Sequence, residues 1–336
     1  MKRILIIKPS SMGDVVHAMP AVHALLASDP GLTADWLIKP AYAELLDYVP
    51  GIGRRILFRP PWRELIRELR KECYDAIIDL QGLFRSALAG LAAKGPLYGP
   101  ARSRELPARF CYRHRLHYPD GTRHAIEKIC AMIREFSGLA QVPPYYRLPV
   151  AEDFSRRAGE LLDEAGLAGR PFIAIAPGTR WTTKQWPPEF FAECAGLIAS
   201  EHPDRRFVLL GSPAEVDLCR RVREHAANVP MADLAGRSSP GVLTEIIRRA
   251  DLLLCNDSGP MHLAAAAGTP VTALFGPTDP SLTGPYGSNC RVIRPELDCI
   301  GCLRKSCASE KCHQAVSPRR VADTVTEQLK ERMGQK

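Results

Sequence analysis

Apolar residues in this chain fall into short unbroken runs separated by stretches of helical periodicity. RILIIK at 3–8 opens the series, the polar loop PSSMGD follows, and Val15, Val16, Met19, Val22 and Leu25 then recur at helical spacing. That order is strand, loop, helix. Trp36–Ile38, Ile56–Phe58 and Tyr74–Leu80 (YDAIIDL) are further strand candidates, spaced by stretches of helical length. Strands alternating with helices predict a parallel sheet covered on both faces. The run VPPYYRLPV (142–150) breaks both periodicities and reads as a linker.

The pattern then restarts. Phe172–Ala176, Phe207–Leu210, Leu252–Cys255 and Val271–Phe275 are near-continuous apolar runs, as strands buried on both faces must be. Pro187 and Pro188 suit a helix start, and a last helix is predicted from about Pro318 to Met333. A length of 336 residues suits two domains of about 150 each. The reading is therefore α/β: doubly wound domains over 1–145 and 153–316 with a cleft between them, and a C-terminal helical segment over 317–336 expected to pack back on the first domain. In such sheets ligands bind beyond the carboxyl ends of the strands. This singles out the loops at 9–14, 81–86, 177–184, 211–215 and 256–262.

Charge sharpens the picture. The net +8 lies wholly in the first half: residues 1–150 carry 22 Lys+Arg against 14 Asp+Glu, whereas 151–336 carry 23 against 23. Between Arg102 and His124 stand six arginines and three histidines against Glu105 and Asp120. An anionic partner for that half is one reading and a solvated basic face the other. Nucleic acid is disfavoured, because the segment carries neither an RNA-binding aromatic signature nor a helix-turn-helix pattern. No stretch approaches the ~20 apolar residues of a membrane span. The five-residue apolar run after the basic start is not a signal peptide, so a cytoplasmic protein with reduced thiols is expected. Seven of the eleven cysteines occur singly, Cys73, Cys194 and Cys255 among them, and read as small buried hydrophobes. The other four, Cys299, Cys302, Cys307 and Cys312, form C-x2-C-x4-C-x4-C beside His313. Free thiols are preferred there; a tetrahedral metal site is the alternative.

The candidate chemistry sits on the loops. Asp14, in SSMGD, is either a charge complementing a helix N-terminus or a general base. PGTRWTTKQWP sets Thr179, Thr182, Thr183 and Lys184 before a helix, the parts that hold a diphosphate, without the spacing of a Walker P-loop. NDSGPMHLAAAAGTP (256–270) offers Ser258 and Gly259 to phosphate; His262, one turn into the helix, is a ligand or a satisfied helix histidine. Glu215, in GSPAE after a strand, is placed as a ribose-binding acid would be. A dinucleotide-binding dehydrogenase is disfavoured, since GIGRRI at 51–56 lacks the third glycine and a preceding strand.

SSMGD, IDLQGLFRSA (78–87), TTKQWP (182–187), GSPAE, NDSGPMHLAAAAGTP and FGPTDP (275–280) occur in this order along essentially the whole chain. Together they resemble glycosyltransferase family 9, the heptosyltransferases of the lipopolysaccharide inner core. The resemblance implies a GT-B fold of two Rossmann-like domains, with acceptor on the first and ADP-sugar on the second, and inversion at the anomeric carbon. Asp14 would then be the general base. Lys184 would serve catalysis and, with Thr179, Thr182 and Thr183, hold the diphosphate; Glu215 would contact ribose, and Asp257, Ser258, Gly259 and His262 phosphate or sugar. Ser10, Ser11, Gly13, Arg85, Arg102 and Arg104 match the acceptor side. The implied donor is ADP-heptose, and the acceptor Kdo2-lipid A or its heptosylated form. Peripheral contact with the cytoplasmic face of the inner membrane would follow from a lipid-anchored acceptor. The chain contains no Asp-x-Asp pair, so neither metal nor cofactor is expected. A family member using another nucleotide sugar, or a non-catalytic binder of one, are the alternatives.

Overall fold

The computed structural model describes residues 2–309 and 311–334. The chain divides between Leu148 and Pro149 into two compact units, inside the stretch read as the linker. The first unit runs β1 (Lys2–Ile7), α1 (Met12–Ser28), β2 (Leu32–Ile38), β3 (Ile52–Leu57), α2 (Trp62–Leu69), β4 (Ala76–Asp79), α3 (Phe84–Ala92), β5 (Leu97–Pro100), α4 (Leu106–Arg109), β6 (His114–Leu116) and α5 (Ala125–Ser137). The second runs α6 (Glu152–Glu164), β7 (Phe172–Ala176), α7 (Pro188–Glu201), β8 (Arg206–Leu209), α8 (Val216–His225), β9 (Met231–Asp233), α9 (Pro240–Arg249), β10 (Leu252–Asn256), α10 (Gly259–Ala267), β11 (Val271–Leu274), α11 (Pro280–Thr283), β12 (Cys290–Ile293), α12 (Lys311–Gln314) and α13 (Pro318–Gly334).

Each unit holds a six-stranded sheet, ordered β3-β2-β1-β4-β5-β6 in the first and β12-β11-β10-β7-β8-β9 in the second. Every strand pairing is parallel. Read outward from their first strands the two orders are the same. Each has one topological switch point, β1 beside β4 and β7 beside β10, where the chain leaves neighbouring strands in opposite directions and opens a crevice at their carboxyl ends. The apolar runs account for the burial: FIAIA, LLLCN and VTAL are buried at every position, because helices cover both sheet faces. The core of the second unit gathers Trp186, Phe191 and Phe207 with Val321, Val325 and Leu329 of α13, which packs along α7 within this unit. Strands β5 and β6 escaped the sequence reading. LYGP and HRL are too short and too polar to announce themselves, and they are fixed by pairing with β4 and with each other.

Three of the seven single cysteines depart from expectation, Cys111 and Cys290 being half-buried. Cys73 is exposed, since it precedes β4 on a lone bridge to Lys94 rather than lying on a core face. Cys130, Cys194, Cys219 and Cys255 are buried as expected.

Close packing is tightest where β5 passes Tyr112. A methyl group on Gly99 would overlap the Tyr112 ring, and that ring cannot swing away freely because its hydroxyl donates to Asp79 Oδ2 at 2.9 Å. Gly99→Ala is expected to cost about 1–3 kcal/mol of unfolding free energy in urea titration, and the further change Tyr112→Phe should recover little of it.

Candidate active site

At the switch point of the first unit, three ionic side chains converge within a few residues of the strand ends. Lys8 follows β1 directly and is buried. Its Nζ donates to the Leu80 carbonyl at 2.7 Å and lies 3.7 Å from Asp14 Oδ1. Asp14 sits in the first turn of α1, where its Oδ2 accepts from the Ser11 backbone N–H at 2.8 Å and the Ser11 hydroxyl at 3.0 Å. Both readings of Asp14 therefore hold together: it caps the helix, and its side chain remains 42% exposed. Ser11 is the N-cap of α1, and Gly13 is buried in its first turn.

Across the switch point, Asp79 ends β4 fully buried. Its carboxylate accepts from the backbone of Gln81 (2.8 Å) and Gly82 (3.1 Å) and from the hydroxyls of Ser86 (2.8 Å) and Tyr112 (2.9 Å). Burial pushes this carboxyl above the usual carboxylate range, and the four donors oppose it. Burial likewise lowers Lys8 below the ordinary lysine value, against the pull of Asp14 and Asp79; Arg104 adds to the lowering, which brings its charge within reach of Lys8. Sequence reasoning missed Lys8 and Asp79, because both lie inside runs read as strand. Arg85, second in α3, stacks over Phe58 with Cζ 5.3 Å from the ring centroid. Arg102 pairs with Asp120 at 2.5 Å. Arg104 is exposed, with its backbone N beside Gly82 in the loop after β4, whereas Arg102 is engaged with Asp120.

The second unit repeats the device. Lys184 Nζ lies 2.6 Å from Asp257 Oδ2, which also accepts from the Thr278 hydroxyl at 2.6 Å. Thr179 donates to the Asp257 carbonyl at 3.2 Å, and Asn256 bridges the same two loops by donating to Pro177 and accepting from the Trp186 N–H. The loop after β7 is thus sewn to the loop after β10. Lys184 stands 4.6 Å from the Trp181 ring centroid and Lys305 stands 5.3 Å from the same centroid. Next to Asp257, the Ser258 hydroxyl is buried without a hydrogen-bond partner at the N-cap of α10, with Gly259 first in the helix and His262 buried one turn on. A hydroxyl left unpartnered beside helix N–H groups and a lysine is suited to accept a phosphate.

Thr182 begins a short helical turn, but Thr183 faces inward. It is buried, donates to the Arg304 carbonyl at 2.8 Å, and its own carbonyl accepts from His313 and from Cys312 Sγ at 3.8 Å. Burial raises the Cys312 thiol, which keeps it a donor. The cysteine-rich segment is therefore the backing of this loop. Among the described residues, no three His, Cys, Asp or Glu side chains are grouped to hold a metal ion. Glu215 follows β8, and its Oε2 accepts from Ser212 N–H at 2.7 Å. The carboxylate packs flat against Gly178, where any Cβ would overlap it.

Solved structures share this architecture. The Escherichia coli heptosyltransferase WaaC with ADP superposes with a TM-score of 0.77 at 26% identity, covering 97% of this chain and 99% of that one. E. coli ADP-heptose lps heptosyltransferase II gives 0.80 at 25%, covering 99% and 100%. The two Rossmann-like units with their switch-point loops are those of a GT-B glycosyltransferase. Lipopolysaccharide heptosyltransferase 1 of Pseudomonas aeruginosa is 32% identical over 91% of this chain and 87% of its own. Lipopolysaccharide heptosyltransferase 2 of Salmonella typhimurium is 26% identical over 98% and 99%. The model of glycosyltransferase family 9 (heptosyltransferase) matches residues 62–313, and the chain belongs to that family.

Lys8 yields a pH-linked expectation. Its folded proton affinity is below that of an unfolded lysine, so between the two values the unfolded chain binds the extra proton and stability climbs as pH rises toward 10.5. Urea midpoints taken from neutral to alkaline pH should show this climb in the parent protein and a flatter profile in Lys8→Met.

Proposed function

We propose that this chain transfers heptose from ADP-heptose to the Kdo of the lipopolysaccharide inner core, as an inverting, metal-independent enzyme with Asp14 as general base. The observation that carries the reading is the half-exposed Asp14 carboxylate, held at the end of β1 by Ser11 and faced by Lys8. Inverting transfer needs one carboxylate that takes the proton of the attacking hydroxyl while the sugar–phosphate bond breaks in line. Lys8 opposite Asp14 favours the ionised form that can do so.

The donor is assigned to the second unit. The negative charge that develops on departing ADP meets the ammonium of Lys184, the N-terminus of α10 and the unpartnered Ser258 hydroxyl. Asp257 occupies one of the three donors of Lys184 and fixes its direction, which leaves the others for phosphate oxygens. Glu215, pressed against Gly178, takes the ribose hydroxyls. A WaaC structure with ADP-2-deoxy-2-fluoro heptose, at 25% identity and a TM-score of 0.74, supports this donor class. The first heptose is favoured over the second because relatives of type 1 reach 32% and 31% identity, against 26% for type 2 over a comparable span. The acceptor is lipid-anchored, so the reaction belongs at the cytoplasmic face of the inner membrane, with Arg85 and Arg104 toward its carboxylates and phosphates.

ADP release measured with ADP-heptose and deacylated Kdo2-lipid A tests the reading. Turnover is expected with that acceptor, without dependence on a heptosylated form, and unchanged by EDTA. Asp14→Asn should lower kcat by about 10²–10⁴ while the Kd of ADP-heptose stays within about twofold. Full activity of Asp14→Asn removes the base, a strict need for the heptosylated acceptor moves the step, and loss to EDTA with recovery in Mg²⁺ removes the metal-free mechanism.

Gly178→Ala offers an independent check on the donor site. The added methyl displaces the Glu215 carboxylate, so the Kd of ADP measured by calorimetry should rise about tenfold, roughly 1.4 kcal/mol. The urea midpoint should change little, since Glu215 lies at the surface of a loop.

A further inference from the structure

Six large apolar side chains stand exposed on three helices of the first unit: Trp62 of α2, Phe84, Leu88 and Leu91 of α3, and Leu106 with Phe110 at α4. Among the described residues of this unit, Tyr145 alone is a further large hydrophobic of comparable exposure. They lie on neighbouring helices, since α2 packs against α3 and α3 against α4. Phe84, Leu88 and Leu91 follow i, i+4, i+7 spacing, which makes one stripe along α3, and Leu106 and Phe110 are one turn apart. Helices α3 and α4 pack together, and the Phe84 N–H donates to Glu105 Oε2 at 2.7 Å, which ties the start of α3 to the start of α4. Trp62 meets Phe58 edge-on at 5.7 Å, and Arg85 lies over that same ring. Leu106 and Phe110 are 70% and 81% exposed, more than any other large hydrophobic described. An apolar cluster of this extent marks an interaction surface.

Its charge selects the occupant. Between Phe84 and Arg113 the chain carries Arg85, Lys94, Arg102, Arg104, Arg109 and Arg113 against a single acid, Glu105, and that acid is engaged at the start of α3. A second copy seated here about a two-fold axis would set this excess of positive charge against itself. An anionic bilayer presents the complement: phosphates for the guanidinium groups and an acyl boundary for the aromatic and leucine side chains.

We propose that the α2–α4 face is a docking surface for the anionic lipid bilayer, with Trp62, Phe84, Leu88, Leu91, Leu106 and Phe110 entering the headgroup–acyl boundary. The inference deepens the proposed transfer to a lipid-anchored acceptor and rests on that reading for its purpose, though not for its evidence. Its consequence is positional. Arg104, two residues before Leu106, has its backbone N beside Gly82, in the loop whose Leu80 carbonyl is held by Lys8, which faces Asp14. Seating the face on the bilayer thus brings the Asp14 loop near the headgroups.

Co-sedimentation of the full chain with vesicles of phosphatidylethanolamine and phosphatidylglycerol tests it, with pure phosphatidylcholine vesicles as reference. The parent protein should bind the anionic vesicles, release them as NaCl rises, and show a blue-shifted tryptophan emission on binding. The double variant Leu106→Ser/Phe110→Ser should bind at least about tenfold more weakly, with kcat on deacylated, water-soluble acceptor unchanged, which also shows that it folds. Failure of the parent protein to bind, or equal binding by the variant, overturns the proposal. So does a dimer, seen by light scattering, that the variant abolishes without changing vesicle binding, because the face is then an interface between copies. Vesicle binding without turnover on any inner-core acceptor supports the docking face and overturns the transfer reading instead.

Discussion

A charge at the carboxyl edge of a parallel sheet covered on both faces has little water to turn to, and it persists only if paired. Both units meet this constraint at the switch point with a lysine and a carboxylate, from one loop in the first unit and from two neighbouring loops in the second. Lys8 faces Asp14 in the first unit, with Asp79 near enough to act on it, and Lys184 binds Asp257 in the second. Removing the carboxylate leaves a largely buried lysine without its partner, which is far costlier than never having placed one. The pairs therefore fix the two loops at each switch point, and the remaining contacts are arranged around them. Ser86, Tyr112 and two backbone N–H groups neutralise Asp79, and Thr278 with Thr179 holds the Asp257 turn.

The two units apply the device to different ends. In the first, Lys8 is buried while Asp14 keeps much of its surface exposed, so the carboxylate faces outward. In the second, Asp257 is buried and Lys184, its side chain 15% exposed, stands 4.6 Å from the Trp181 ring centroid. One fold thereby presents a half-exposed carboxylate at one switch point and a paired lysine at the other.

Much of this was legible in the residues. Long apolar runs such as FIAIA and LLLC could only be doubly covered strands, and the loops after them carry the paired charges. Asp14, Lys184, Glu215 and Ser258 were recognisable because each follows a strand and precedes a helix. Pairings were not legible. Nothing in TTKQWP points to an aspartate 73 residues on, and Asp79 is camouflaged by the apolar residues of YDAIIDL. Thr183 reads like its neighbours Thr179 and Thr182, yet only burial shows that it faces inward. The cysteine-rich segment drew attention for its thiols; its use of a carbonyl, that of Arg304, and of the Cys312 and His313 side chains to hold Thr183 depends on where the chain returns.

That return has a thermodynamic consequence. A loop that must be ordered by its ligand spends part of the binding energy on its own conformational entropy. Here the Thr183 hydroxyl and carbonyl are both held by a segment some 121 residues further along the chain. The ordering is completed during folding, so the loop around Lys184 is in place before any ligand meets it. Loss of the Cys312 and His313 contacts would return that entropy to the loop that carries Lys184.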